Sequence, residues 1–419
     1  MSSTESEPQQ SWGYVTVRPK AHEFYWLYYT THSSGYKERP LILWLQGGPG
    51  ASGTGFGNFE EIGPLDVNLN ARNTTWLQTA SLLFIDNPVG TGYSYVEDKD
   101  AYTTNVAQIS ADLLVVLKAF VTVNPDFSAT PFYIFSESYG GKMAAAFSAV
   151  LYDAAIKGDI KINFKGFAMG DSWISPVDST SSWGPYLYAT SIVDSKGLDR
   201  INVATRQVAE LIKEGKYSEA TNAWGDAEST VELISGGVNF YNILDWSGSD
   251  KNRKSAALDS RSSLEKLYDR HVRRMANDDL DALMNGPVKK KLKIIPENVT
   301  WGGQSGEVFT AQSGDFMKNV TATVNHLIQT TPLKVVVYSG QLDLICDVLG
   351  TEAWFSKLDI ATAFNKATRQ LVACDKHPIA CFYVKEVQTV QFYWILQAGH
   401  MVPSDNGSGA LKMVNRIIG

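Results

Sequence analysis

Between Pro131 and Lys142 the chain reads P-F-Y-I-F-S-E-S-Y-G-G-K, and this stretch narrows the folds open to it more than any other. An aromatic, β-prone run ends without a linker in Ser136-Glu137-Ser138-Tyr139-Gly140-Gly141. The small, helix-prone segment Gly141-Lys142-Met143-Ala144-Ala145-Ala146-Phe147 follows at once. A strand that turns directly into a helix needs small residues two before and two after the turning residue, and a serine held there projects its hydroxyl clear of the sheet. Ser138 is therefore a candidate nucleophile. Ser136 stands where the G-x-S-x-G pattern has its first glycine, and alone the motif is evenly balanced against an ordinary strand-to-helix turn.

Other apolar, β-rich runs bounded by turn residues recur at Leu41–Leu45, Leu82–Ile85, Phe132–Phe135, Phe164–Met169, Val335–Tyr338 and Val390–Leu396. Continuous apolar strands suit a sheet covered on both faces. Helical patterns at Val106–Val121 and Lys142–Ile156 lie between them, so the expected class is α/β with a mainly parallel sheet. Trp12–Val17 and Glu23–Tyr29 read as an antiparallel hairpin ahead of that sheet. From about Ile174 to Gln329 the strand signal fades and charged, helix-like segments appear, around Ile201–Glu214 and Ser262–Leu283. The expectation is a core formed by residues 1–173 and 330–419, with residues 174–329 as a helical insertion.

A net charge of −7 over 419 residues argues against a nucleic-acid surface or a polybasic membrane anchor. The clusters Lys289-Lys290-Lys291 with Lys293, and Arg273-Arg274, are expected on a solvated face. No run of about 20 apolar residues implies a membrane span, and the polar, acidic Met1–Gln10 lacks the apolar stretch of a signal peptide. Sequons stand at Asn73, Asn298, Asn319 and Asn406 and matter if the chain enters the secretory route. Cys374 and Cys381 are close enough to pair across a short loop, which leaves Cys346 free and the redox compartment open. No residues have metal-ligand spacing, so neither metal nor cofactor is expected.

An activated serine needs a base for its proton, and the base needs a carboxylate to hold its tautomer. His400, in Gln397-Ala398-Gly399-His400-Met401-Val402-Pro403 just after a strong strand, is the candidate base. His326 lies in a helical pattern and His377 beside the cysteine loop, so both are expected to be structural. Asp343 follows Val335–Tyr338 at the carboxyl edge of the sheet, where a site should lie. Asp171 and Asp347 have similar placement, but Asp171 precedes the insertion and Asp343 is preferred. Charge developing on a substrate oxygen needs two backbone N–H donors. One is expected from Tyr139 and the other from Gln46-Gly47-Gly48-Pro49-Gly50, the glycine-rich loop after Leu41–Leu45.

With these residues assembled, the chain resembles the serine carboxypeptidases, most closely their retinoid-inducible branch. The resemblance is carried by Trp44–Gly50, Glu61–Pro64, Asp86–Tyr95, Ser136–Lys142, Gly340–Cys346 and Gly399–Pro403. It implies an α/β-hydrolase fold with a helical cap, a triad of Ser138, Asp343 and His400, and oxyanion donors Gly48 and Tyr139. It also implies recognition of a substrate carboxylate by Gln46, Gly47, Glu61 and Glu137, and removal of C-terminal residues from peptides with a free terminus at acidic pH. Two carboxyls in contact cannot both ionise cheaply, so one keeps a proton that it can donate to that carboxylate. The resemblance further implies a secreted or lysosomal setting and allows a homodimer. Gln46, Ala51, Ser136 and Gln341 depart from the wider family, Cys346 aligns with a family thiol, and Tyr93 and Tyr95 are candidate pocket walls. The same acyl-enzyme could serve an acyltransferase or esterase, and the same fold could persist as a binding or protective scaffold.

Overall fold

The computed structural model describes residues 7–246, 261–374 and 380–419. His377 lies outside them. Eleven strands form one sheet: β1 Gln10–Arg18, β2 Ala21–Tyr28, β3 Leu41–Leu45, β4 Ser81–Ile85, β5 Tyr95–Val96, β6 Pro131–Glu137, β7 Asn163–Gly170, β8 Lys334–Gly340, β9 Gln370–Ala373, β10 Ala380–Val387 and β11 Val390–Ile395. Their order is β1-β2-β4-β3-β6-β7-β8-β11-β10-β9, with β5 alongside β2. The run from β4 to β11 is parallel throughout, and the antiparallel pairs sit at the two ends. The hairpin expected near the N-terminus is β1–β2, with Gln10 opposite Tyr28.

Every residue of β3 and β4 is buried. Their unbroken apolar runs follow from helices covering both faces, which leaves no solvent side to demand alternation. The helix α1, Val106–Val123, and the helix α2, Tyr139–Lys157, pack on each other and extend the spans read from sequence by two or three residues at an end. By length and composition α1 could cross a membrane. It is instead a core-covering helix, with Ile109, Leu113, Leu117 and Phe120 buried and Asp112 bonded at 2.8 Å to Arg18 of β1.

Among the described residues 174–329 there are helices and no strand. They begin with α3 Pro176–Ala189, α4 Ser195–Lys213 and α5 Tyr217–Ser235. The stretch Ser262–Leu283 breaks into Ser263–His271, a short turn at Arg273–Met275 and Asp278–Leu283. Asn277 accounts for the restart, since its side chain caps the new helix by accepting from Leu280 N. The hairpin of β9 and β10 was not legible because β9 is short and half exposed. Cys374 and Cys381 are bonded to each other beside it, and Cys346 is free and buried.

A buried ion pair ties this helical stretch to the sheet. Lys142, on the second turn of α2 and fully buried, donates to the carbonyls of Asp315 and Phe316 and lies 3.5 Å from the Asp315 carboxylate. Burial pulls the Lys142 ammonium down to about 8 against the pull of Asp315. Removing the Asp315 carboxylate leaves the buried Lys142 charge with backbone carbonyls but no counter-ion of its own among the described residues of the interior. Asp315→Ala is therefore expected to lower the unfolding free energy by about 3 kcal/mol, read as a fall in the urea midpoint. A change below about 0.5 kcal/mol would mean that the pair is not holding the two parts together.

Candidate active site

Ser138 caps α2 with φ 60° and ψ −127°, a conformation that a non-glycine residue holds only under constraint. The neighbours explain how the turn is tolerated. A side chain on Gly140 would overlap the Leu45 carbonyl, so that position must be glycine. Ser136 fits where a glycine was expected because its hydroxyl donates to Ala168 O of the adjacent strand at 2.8 Å. Gly47 shows how closely the second loop approaches: a Cβ there would stand 2.6 Å from Ser138 Cβ and 3.0 Å from Glu137 O. Gly48 follows with φ 107° and borders the same small cavity as Ser138. As the first residue of α2, Tyr139 has an N–H with no acceptor inside the helix.

At the carboxyl edge of β8, Asp343 is fully buried and accepts from Ile345 N at 3.0 Å through Oδ1. Its Oδ2 meets His400 Nδ1 at 2.9 Å. The other ring nitrogen of His400, Nε2, is buried and has no hydrogen-bond partner among the described residues. The ring packs edge-on against Tyr241 with centroids 5.0 Å apart, and Tyr241 also borders the cavity at Ser138. Tyr241 thus stands beside both the cavity at Ser138 and the Asp343–His400 pair.

The alternative acids are committed to other partners. Asp347 caps the helix Val348–Phe355 and accepts from Ser182 Oγ at 2.7 Å. Asp171 accepts from Gly340 N at 2.7 Å, and burial together with the Asp343 charge pushes its carboxyl well above the usual range. His326 lies on the helix Thr321–Thr330, away from this group.

Gln46, Glu61 and Glu137 are also brought together, all buried. The Gln46 amide bridges outward, accepting from Trp44 Nε1 at 2.6 Å and donating to Glu137 Oε1 at 2.9 Å. Glu61, from the π-helical segment Gly53–Ile62, adjoins them without a hydrogen bond of ordinary geometry to either. Burial raises the Glu137 carboxyl well above the usual range and the nearby Glu61 charge adds to this; burial likewise raises Glu61, to about 7. The pair as a whole therefore holds a proton to higher pH than an ordinary carboxyl.

Sequence reasoning missed the walls. The cavity at Ser138 is bounded by Trp173, Trp224, His271 and Phe316. Only Trp173, two residues past Asp171 at a strand edge, carried a local signal. Tyr93 and Tyr95, expected as walls, are not there. Tyr93 is a core residue whose hydroxyl donates to Met284 O, and Tyr95 stacks on His22 with centroids 4.7 Å apart. Cys346, Asp343 and His400 offer donor atoms within 4.8 Å of one another. Because His400 Nδ1 is committed to Asp343, the group is arranged for proton transfer. Burial, with Asp343 second, pushes the Cys346 thiol well up, which keeps it protonated and unreactive.

A serine at a strand-to-helix turn, a histidine held by a buried acid and a mainly parallel sheet define an α/β-hydrolase. Comparison with known proteins narrows this. The serine carboxypeptidase family model matches residues 2–419. The chain is 52% identical over 417 residues to retinoid-inducible serine carboxypeptidase of Mus musculus, spanning 99% of this chain and 92% of that protein. The human protein of the same name is 51% identical, with 98% and 92% covered, and serine carboxypeptidase-like 51 of Arabidopsis thaliana is 43% identical, with 98% and 92% covered. The crystal structure of the prohormone-processing carboxypeptidase Kex1 from Saccharomyces cerevisiae superposes with a TM-score of 0.82 at 21% identity, covering 98% of this chain and 91% of that one. The chain belongs to the serine carboxypeptidase family and is a hydrolase of the serine type.

Proposed function

We propose that the chain removes C-terminal residues from peptides at acidic pH through Ser138, His400 and Asp343. The observation that carries the reading is the pairing of His400 Nδ1 with buried Asp343, which leaves Nε2 without a partner among the described residues and able to take the Ser138 proton. Ser138 Oγ then attacks the carbonyl of the last peptide bond. Negative charge on the carbonyl oxygen is met by the N–H groups of Gly48 and Tyr139. His400 returns the proton to the departing amine, and a water repeats the sequence to release the acyl group. Glu137, protonated and bonded to Gln46, donates to the terminal carboxylate of the substrate, with Glu61 and the backbone of Gly47 beside it. The described residues of 174–329 act as a cap over this edge of the sheet.

The disulfide supports a secreted or lysosomal setting, because such bonds persist in oxidising compartments. Of the four sequons, Asn73 and Asn298 are exposed and fit glycan attachment. The side chain of Asn406 caps the helix Gly407–Ile418, and that of Asn319 bonds Ser175 Oγ, which commits both.

Incubation with a mixture of peptides at acidic and neutral pH, with products read by mass, tests the reading. Loss of single residues from free C-termini is expected, strongest at acidic pH and absent in Ser138→Ala. Internal cleavage, or transfer of the acyl group to an added alcohol in preference to water, would replace it with an endopeptidase or an acyltransferase.

A further inference from the structure

The space in front of Ser138 amounts to about 10 Å³, walled by Gly48, Trp173, Trp224, His271 and Phe316 among others. That is room for roughly one water molecule. A second cavity of about 320 Å³ lies across the glycine loop, lined by Ala51, Phe56, Val272 and Trp301. Phe56 belongs to the segment that carries Glu61, so this roomy side is where the residue with the free carboxylate would go. With the terminal residue on that side, the small cavity at Ser138 is left for the residue before it. The two sides of the scissile bond therefore meet very different amounts of space.

Two tryptophans close the small side, and they are held differently. Trp173 donates through its indole N–H to Phe316 O at 3.0 Å and sits just past β7 on the sheet. Trp224 comes from α5, and its indole N–H is buried with no acceptor among the described residues. It is fixed by rings on several sides: His271 at 4.8 Å, Phe316 at 4.9 Å and Trp173 at 5.4 Å between centroids. His271 in turn has no freedom. Its Nε2 meets Glu228 at 2.8 Å, its Nδ1 meets Tyr241 Oη at 2.7 Å, and Arg270 pairs with Glu228 and Glu232. A wall backed in this way cannot yield without breaking a packed ring cluster.

We infer that Trp224 is a size gate on the acyl side of the site, restricting the chain to peptides whose penultimate residue is small: glycine, alanine or serine. The inference rests on the proposed function above and goes further by naming the substrate class. The terminal residue, facing the larger cavity, is far less restricted. Glu228 positions the gate through His271, which itself forms part of the wall.

The test uses the full chain and blocked dipeptides with one fixed terminal residue and glycine, alanine, leucine or phenylalanine before it. The wild-type kcat/KM is expected to fall by a factor of about 10² from alanine to phenylalanine. Trp224→Ala should reduce that ratio to below about 5, with Trp224→Phe in between as a milder change that guards against misfolding. A flat wild-type series, or an unchanged ratio in folded Trp224→Ala, overturns the gate.

Inactivation by methanesulfonyl and phenylmethanesulfonyl fluoride separates this outcome from failure of the carboxypeptidase reading. Either reagent forms a bond from Ser138 Oγ to sulfur and expels fluoride while His400 takes the proton, with no peptide carboxylate involved. A size preference that Trp224→Ala abolishes supports the gate even if no dipeptide is cleaved, and equal relative rates in both proteins count against it.

Discussion

Ser138→Ala is expected to lower kcat for removal of a C-terminal residue by on the order of 10⁶-fold, and His400→Ala by a similar factor. The two act as one unit: the hydroxyl is a poor nucleophile unless the imidazole takes its proton, and the imidazole has nothing to activate without the hydroxyl. The double variant should therefore be scarcely slower than either single one. Losses that multiplied would contradict a shared step. The fold should survive, because alanine fits the Ser138 site without asking for new space, while the constraint that holds φ at 60° comes from Gly140, Ser136 and Gly47 around it. Measurement needs thermal melts beside the kinetics, together with labelling by a serine-reactive phosphonate. Labelling of a residue other than Ser138, or residual hydrolysis within tenfold of wild type, would remove Ser138 from the mechanism.

The second large effect concerns pH and the terminal carboxylate. Below the titration of the Glu61–Glu137 pair, at least one of the two carboxyls carries a proton and can donate to an anionic substrate end. As pH rises past about 7, where burial has pushed Glu61, the pair holds more negative charge and repels the same carboxylate. The sign is therefore a loss of kcat/KM on the alkaline side, about tenfold per pH unit once the required proton is lost. Glu137→Gln keeps a donor that does not titrate, so its alkaline fall should be shallower even though its best rate is lower. Peptides with amidated ends should be poor substrates at every pH and lack this fall. Equal rates on free and amidated ends, or an unchanged profile in Glu137→Gln, would mean that the pair does not hold the carboxylate.

Much of the site was legible because each part lies at a local break in the chain. Ser138 stands where a strand becomes a helix, Asp343 three residues past β8 and His400 five residues past β11, and strand ends can be read from apolar runs and the glycines after them. Gly47 was found through the glycine-rich loop, although the reason for it, the nearness of Ser138 Cβ, depends on a residue more than ninety positions away. The acid could be narrowed only to Asp171, Asp343 or Asp347 by placement, with chain order favouring Asp343. What separates them is that Asp347 caps a helix and Asp171 bonds a backbone N–H, leaving Asp343 to meet the histidine. The walls were not legible. Trp224 and His271 lie in amphipathic helices whose local pattern says that one face is buried, without saying against what.

The amino-acid order alone determined the parallel strands, the turn at Ser138 and the candidates for the reacting groups, because these follow from side-chain periodicity and from steric limits within a few residues. Tertiary packing decided which acid serves His400, that Gln46, Glu61 and Glu137 share one buried volume, and that Trp224 narrows the space before Ser138. The physical reason is range: backbone propensity acts over one turn or one strand, whereas burial and the resulting shifts in proton affinity depend on every element packed around a group.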